Sequence, residues 1–199
     1  MDYQREQIEA SVIIKFICRF TAFEKVVKKI FSVSVAQSDH RSLLYYFYGA
    51  LQGSKGYIDY VGHTWAKPEL GKYKKTEKFS GFTLLQIIKI DQQEHLVPDF
   101  GFNLQSENTA MLEFPFHDVC IKLINMRNRI AHECDELVFT DEDVVETMPL
   151  SKIVAEQCTY LRGFDLNKMS NNAIQVYSNL HALDRLLTIL EEKQDADDT

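Results

Sequence analysis

The sequence predicts an all-α protein, an up-and-down bundle of five or six helices with irregular insertions. Two observations carry this. Apolar residues recur at the 3.6-residue spacing of a helix near the N-terminus, in the middle and near the C-terminus. No stretch pairs convincingly with a neighbour as a sheet would require. A chain of 199 residues, 45% of them hydrophobic, can bury a core of its own. We therefore expect a single helical domain over residues 1–193 and an acidic, disordered tail over 194–199.

The first helix is expected from Gln4 to about Phe31, with Ile8, Val12, Phe16, Phe20 and Phe23 on one stripe and the charges largely off it. The alternation Ile30 to Val35 has no strand to pair with and is taken as the helix fraying into a loop. Ser38 or Asp39 can cap a second helix through Leu43, Phe47 and Leu51, ended by Gly53. The run Tyr45 to Tyr48 surrounds that axis and reads as packing on several sides, with base stacking the minor alternative.

Glycines break the chain repeatedly between Gly53 and Gly81. Within that stretch, Lys67, Lys72, Lys74, Lys75 and Lys78 outnumber Glu69 and Glu77, a basic island in an acidic chain. With Tyr73 beside them, Lys72, Lys74 and Lys75 are candidates for guiding a single RNA strand by charge and stacking. An ordinary solvated loop is the plain alternative.

A third helix is expected from Phe82 to Glu94, and a short helical turn between Leu104 and Phe114. Pro115 then fits the first position of a helix that buries Phe116, Val119, Cys120, Leu123, Ile124 and Ile130. After it come Glu133, Asp135, Glu136, Asp141, Glu142, Asp143 and Glu146, with no basic residue before Lys152. Thr140 and Asp143 have the spacing of a capping box, which accounts for the acids there better than a metal site does. Pro149 begins a helix through Ile153, Val154 and Tyr160 to about Gly163. Ser170 or Asn171 caps the last helix, striped by Ile174, Tyr177, Leu180, Leu183, Leu187 and Leu190.

A formal charge of -7 and a pI near 5.4 exclude indiscriminate nucleic-acid binding, so any RNA site must be a local patch. Cys18, Cys120, Cys134 and Cys158 form no C-x-x-C pair, and no run is apolar enough for a leader or a membrane span. The expectation is a reduced, cytoplasmic protein that does not enter a membrane. No Walker loop or dinucleotide fingerprint occurs, and His132-Glu133-x-x-Glu136 lacks the second histidine of a zincin.

One polar constellation points to chemistry: Arg127, Asn128 and His132 at the end of the helix beginning near Pro115. Asn128 and His132 share a face, whereas Arg127 lies about 140° round from His132 on an unbroken helix. A bend near Ala131, or a second copy across a two-fold axis, would improve the geometry.

This Arg-Asn-x-x-x-His pattern on an amphipathic helix resembles the HEPN superfamily. The resemblance implies a helical homodimer that cleaves RNA without metal or other cofactor, of the kind found in toxin–antitoxin pairs and antiviral defence, where a partner protein can act as antitoxin. It assigns Arg127 to the scissile phosphate, because a guanidinium stays charged and offers forked donors. It makes His132 an acid or a base, and Asn128 a partner of the ring or of the phosphate. Arg129 and Glu133 fall outside the pattern and suit surface or dimer ion pairs. The competing expectation is a non-enzymatic helical dimerisation or interaction module, in which Arg127 pairs with the following acids and Glu133 to Glu146 meets a basic partner.

Overall fold

The computed structural model describes residues 2–37, 101–105, 111–133, 137–156 and 158–197. The chain forms two compact units, one of Met1–Phe23 with Gly101–Thr199 and the other of Glu24–Phe100. The described residues are mainly helical. Helix α1 spans Tyr3–Gln37, α2 Phe116–His132, α3 Leu150–Ala155 and α4 Asn171–Asp197. Strands β1 (Gly101–Gln105) and β2 (Met111–Pro115) form one antiparallel pair, with Asn103 opposite Glu113. Short 3-10 turns cover Asp141–Asp143, Thr159–Leu161 and Leu166–Lys168. No helix among the described residues is long and apolar enough to cross a membrane.

The predicted stripe of α1 is the one that is buried: Ile8, Val12, Phe16 and Phe23 have no exposed surface and Phe20 is 2% exposed. Removing each such side chain from water contributes roughly 1.5–3 kcal/mol. From α2 come Phe116, Val119, Cys120, Leu123, Ile124 and Met126; Ile130, expected among them, is half-buried. From α4 come Val176, Tyr177, Leu180, Leu183, Leu187 and Leu190. Ile174 is half-buried, and Leu186 is buried instead. Polar contacts fix the direction of α1 against α4. Glu9 accepts hydrogen bonds from Ser170 and Asn172, and ten residues on Arg19 pairs with Asp184. Both contacts advance along each helix in the same sense, so α1 and α4 run parallel.

Several boundaries differ from expectation for local reasons. The alternating run after Phe31 stays helical to Gln37, so its period of two does not make a loop. Where a turn of helix is expected between Leu104 and Phe114, the described residues at both ends lie in the paired strands β1 and β2, with Pro115 closing β2 and capping α2. The helix expected from Pro149 to Gly163 breaks into α3 and a 3-10 turn, and Gly163 then reverses the chain with φ +94, a conformation that favours glycine. Ser170 caps α4 by accepting from the Ala173 amide at 3.0 Å, as its type and place predict. That helix continues to Asp197, through most of the tail expected to be disordered. The second helix (38–51), the glycine-rich stretch with its basic island, and the third helix (82–94) lie outside the described residues.

Residues 137–149 have almost no regular structure, yet Phe139, Val144, Val145 and Met148 are buried. Their backbone groups therefore need partners. The partners are side chains on one side of α4. Asn172 accepts from the Phe139 amide at 3.0 Å and donates to the Leu137 carbonyl. Asn179, fully buried, accepts from the Val145 amide at 2.9 Å and donates to the Asp143 carbonyl at 3.0 Å. Ser178 accepts from the Met148 amide at 2.8 Å. From the other side, Lys122 of α2 donates to the carbonyls of Glu142 and Val144 at 2.8 and 2.7 Å. The segment is a strip of chain stitched to a polar seam.

At the other end of α3, Tyr177 donates its hydroxyl proton to Glu156 and so can only accept from Cys158, whose sulfur lies 2.6 Å away. Burial pushes the Tyr177 phenol well above its ordinary range, and the Cys158 and Glu156 contacts add to this. His181 lies 3.6 Å from the same carboxylate. Burial pushes its imidazole below its ordinary range, opposed by Glu156 and Asp184 and reinforced by Lys152 and Arg185.

The packing predicts that Phe16→Ala costs about 3–5 kcal/mol in urea unfolding, whereas Val138→Ala on the surface stays within about 0.5 kcal/mol. The His181 shift predicts a pH effect of definite sign. Its folded pKa is below the unfolded one, so the contribution is complete above about pH 6.5 and is lost as pH falls through the folded value. Between about pH 7.5 and 5.5 the melting temperature should fall less steeply for His181→Gln than for the unaltered chain.

Candidate functional site

The last two turns of α2 present two arginines with different fates. The helix is unbroken to His132 and ends where the Glu133 amide donates to the Arg129 carbonyl at 2.8 Å. With no bend near Ala131, Arg127 and His132 of one chain diverge by about 140° round the axis. Arg127 instead turns toward Asn128, donating from Nη1 to Oδ1 at 3.0 Å. Asn128 is thus set against the guanidinium, and its acceptor oxygen is committed there. Neither is hydrogen-bonded to His132 among the described residues. His132 is exposed on the final turn, and it too has no polar partner among those residues.

Arg129 takes the part that the structural alternative gave to Arg127. Its Nη1 is 2.7 Å from Asp143 Oδ1, its Nε 3.1 Å from Glu133 Oε2, and its Nη2 donates to the Val138 carbonyl at 2.6 Å. The guanidinium carbon also lies 4.9 Å from the centre of the Phe139 ring, a cation over an aromatic face. Hydrogen bonds to Glu133 and Asp143 raise its already high pKa. Burial pushes the Asp143 carboxyl up, but the Thr140 amide and Arg129 outweigh that and hold it below the usual carboxylate range. Arg129 is therefore a clasp that ties the segment after α2 to the end of the helix. Arg127, by contrast, has no carboxylate among the described residues.

Three acids of the run, Glu133, Asp141 and Asp143, have partners within the chain. Asp143 also accepts from the Thr140 amide at 2.8 Å, the expected capping arrangement, here on a 3-10 turn. Asp141 accepts from Thr147 at 3.1 Å and from Gln175 at 3.2 Å. Burial pushes the Glu146 carboxyl up. Glu142 remains exposed, its carbonyl held by Lys122. Among the described residues no group of three or more His, Cys, Asp or Glu side chains could hold a metal ion. The proposed RNA-guiding residues Lys72, Tyr73, Lys74 and Lys75 lie outside the described residues.

The clasp was only half visible in the sequence. The four-residue spacing of Arg129 and Glu133 suggests an ion pair. Nothing local points to Asp143, which arrives because Asn179 holds its carbonyl thirty-six residues along the chain. Comparison with protein-family models, curated proteins and solved structures finds no match to this chain.

The clasp predicts that Arg129→Ala raises the Asp143 pKa, read by NMR titration, and destabilises the fold by roughly 1–2 kcal/mol. Because the folded Asp143 pKa is depressed, this stabilisation is present above about pH 4 and disappears as pH falls through the lower folded value. Arg129→Ala should therefore show a shallower acid limb of stability than the unaltered chain.

Proposed function

We propose that the chain is a metal-independent endoribonuclease of the HEPN type, acting as a homodimer with Arg127, Asn128 and His132 of both copies around one cleft. The observation that carries this reading is the division of labour on α2. Arg129 is consumed by Glu133 and Asp143, whereas among the described residues Arg127 meets an uncharged amide alone and His132 is exposed. A guanidinium with no carboxylate among the described residues, and an exposed imidazole that a second copy can bring to it, suit an anionic substrate.

The divergence of Arg127 and His132 within one helix is the reason for invoking two copies. In the proposed reaction the 2′-oxygen of RNA attacks the adjacent phosphorus as its proton passes to a neutral imidazole. The O2′–P bond forms and the P–O5′ bond breaks, leaving a 2′,3′-cyclic phosphate. A protonated imidazole delivers a proton to the departing 5′-oxygen. His132 of each copy takes one of these two parts. Arg127 neutralises the charge gathering on the phosphate oxygens, and Asn128 holds the guanidinium in place. Antitoxin control or a role in antiviral defence accords with such an activity and belongs to the same proposal.

The purified chain should cut unstructured RNA in EDTA and leave cyclic-phosphate ends. Arg127→Ala and His132→Ala should each lower the rate by about 100-fold or more without lowering the melting temperature. Intact RNA, or cutting that both variants retain, contradicts the proposal and leaves a helical interaction module.

A further inference from the structure

The end of the stitched strip and the start of α4 frame a cleft of about 530 Å³, a size that suits a small molecule. Among the described residues its one charged side chain is Asp141. The N-terminus of α4, where Asn171 lies, adds roughly half a positive charge, which does not cancel a carboxylate. The hydrogen-bonding groups are lopsided as well. Thr140 and Thr147 give their hydroxyl protons to Asp143 and Asp141, so each offers only oxygen lone pairs. Gln175, 9% exposed, turns its amide nitrogen to Asp141 Oδ1 at 3.2 Å, as an acceptor-only carboxylate requires. Its Oε1 is thereby left as an acceptor, buried and without a hydrogen-bond partner. Such an oxygen costs stability until a donor reaches it.

We infer that this cleft binds a primary alkylammonium ion. The state of the Asp141 carboxylate selects the head group. Oδ1 already accepts from Thr147 at 3.1 Å and from Gln175, which fills its lone-pair positions, and Oδ2 has no partner among the described residues. A guanidinium fork uses both oxygens of a carboxylate and would have to displace one of those bonds. An ammonium needs one oxygen, and its remaining donors suit a wall where acceptors are in excess. Water does not reach Gln175 Oε1, but a turn of the amide about its last torsion, against one long hydrogen bond, brings that oxygen to the cleft. Ile174, Met148 and Leu150 line the rest, a surface for a short hydrocarbon stem. A free amine and the lysine side chain of a peptide share this chemistry. The site rests on no part of the ribonuclease proposal.

In an NMR titration of the full chain near neutral pH, n-butylamine should move the Asp141 and Thr147 backbone amides and the Gln175 side-chain amide to saturation, with a Kd of about 1 mM or lower. Asp141→Asn should weaken binding at least about tenfold, whereas Glu192→Gln, which removes the same charge from the exposed far end of α4, should leave it within about twofold. Gln175→Met, which removes the unpartnered acceptor, should weaken binding about threefold or more without lowering the melting temperature. n-Butylguanidine should bind at least about threefold more weakly than n-butylamine. Nα-acetyl-lysine methylamide separates the two sources: tighter binding than n-butylamine names a peptide lysine, weaker binding names a free amine, and either upholds the site. No saturable shift below about 10 mM, or n-butylguanidine binding as tightly as the amine, would overturn it. So would equal losses in Asp141→Asn and Glu192→Gln, which would mean an adventitious counter-ion only.

Discussion

Asn179 is fully buried and spends its amide on two backbone groups of a segment with almost no structure of its own. A side-chain amide without partners at that depth would be costly, as would the unsatisfied Val145 amide and Asp143 carbonyl. Each satisfies the other. Its Nδ2 also lies 3.2 Å from the Met126 sulfur, so one residue joins α4, the segment and α2. Asn172 and Ser178 repeat the bargain on either side, and the strip from Leu137 to Met148 has little freedom left.

That constraint reaches the candidate site through a short chain of contacts. Holding the Asp143 backbone places its carboxylate under Arg129, and Arg129 gathers Glu133, the Val138 carbonyl and the Phe139 ring about the end of α2. His132 is thereby left on a helix end whose next residue, Glu133, is held by Arg129. Two residues before the clasp, Arg127 is spared from it. Two arginines separated by Asn128 thus differ in role by their direction around one axis: Arg129 projects toward the acids, and Arg127 lies about 160° away from it. A positive charge with no acid against it among the described residues is what a phosphate site requires, and the HEPN-type proposal depends on that separation.

What the sequence revealed is what a single helix can encode. The stripe Ile8, Val12, Phe16, Phe20 and Phe23 is buried as its period demands, and Ser170 and the Pro115 boundary mark helix starts by local chemistry. The Arg127, Asn128 and His132 pattern was equally visible, and so was its angular divergence. Tertiary contacts were not. The acids after Glu133 suggested a surface for a basic partner, whereas Asp143 and Asp141 are occupied by Arg129, Thr147 and Gln175. No local pattern reveals that Asn172, Ser178 and Asn179 will serve a strand of chain some thirty residues earlier. Those polar residues interrupt an apolar helix and look like ordinary polar positions until the strip is laid against them. The strand pair before α2 was missed for a related reason, since each strand is intelligible only beside the other.

Amide hydrogen exchange in Asn179→Ala tests the central dependence most directly. The account predicts faster exchange at Val145, which loses its acceptor, and also at Glu133 and the last turn of α2, which Asn179 reaches through Asp143 and Arg129. Faster exchange at Val145 with the end of α2 as protected as before would contradict it, because the motif would then be held independently of the seam on α4.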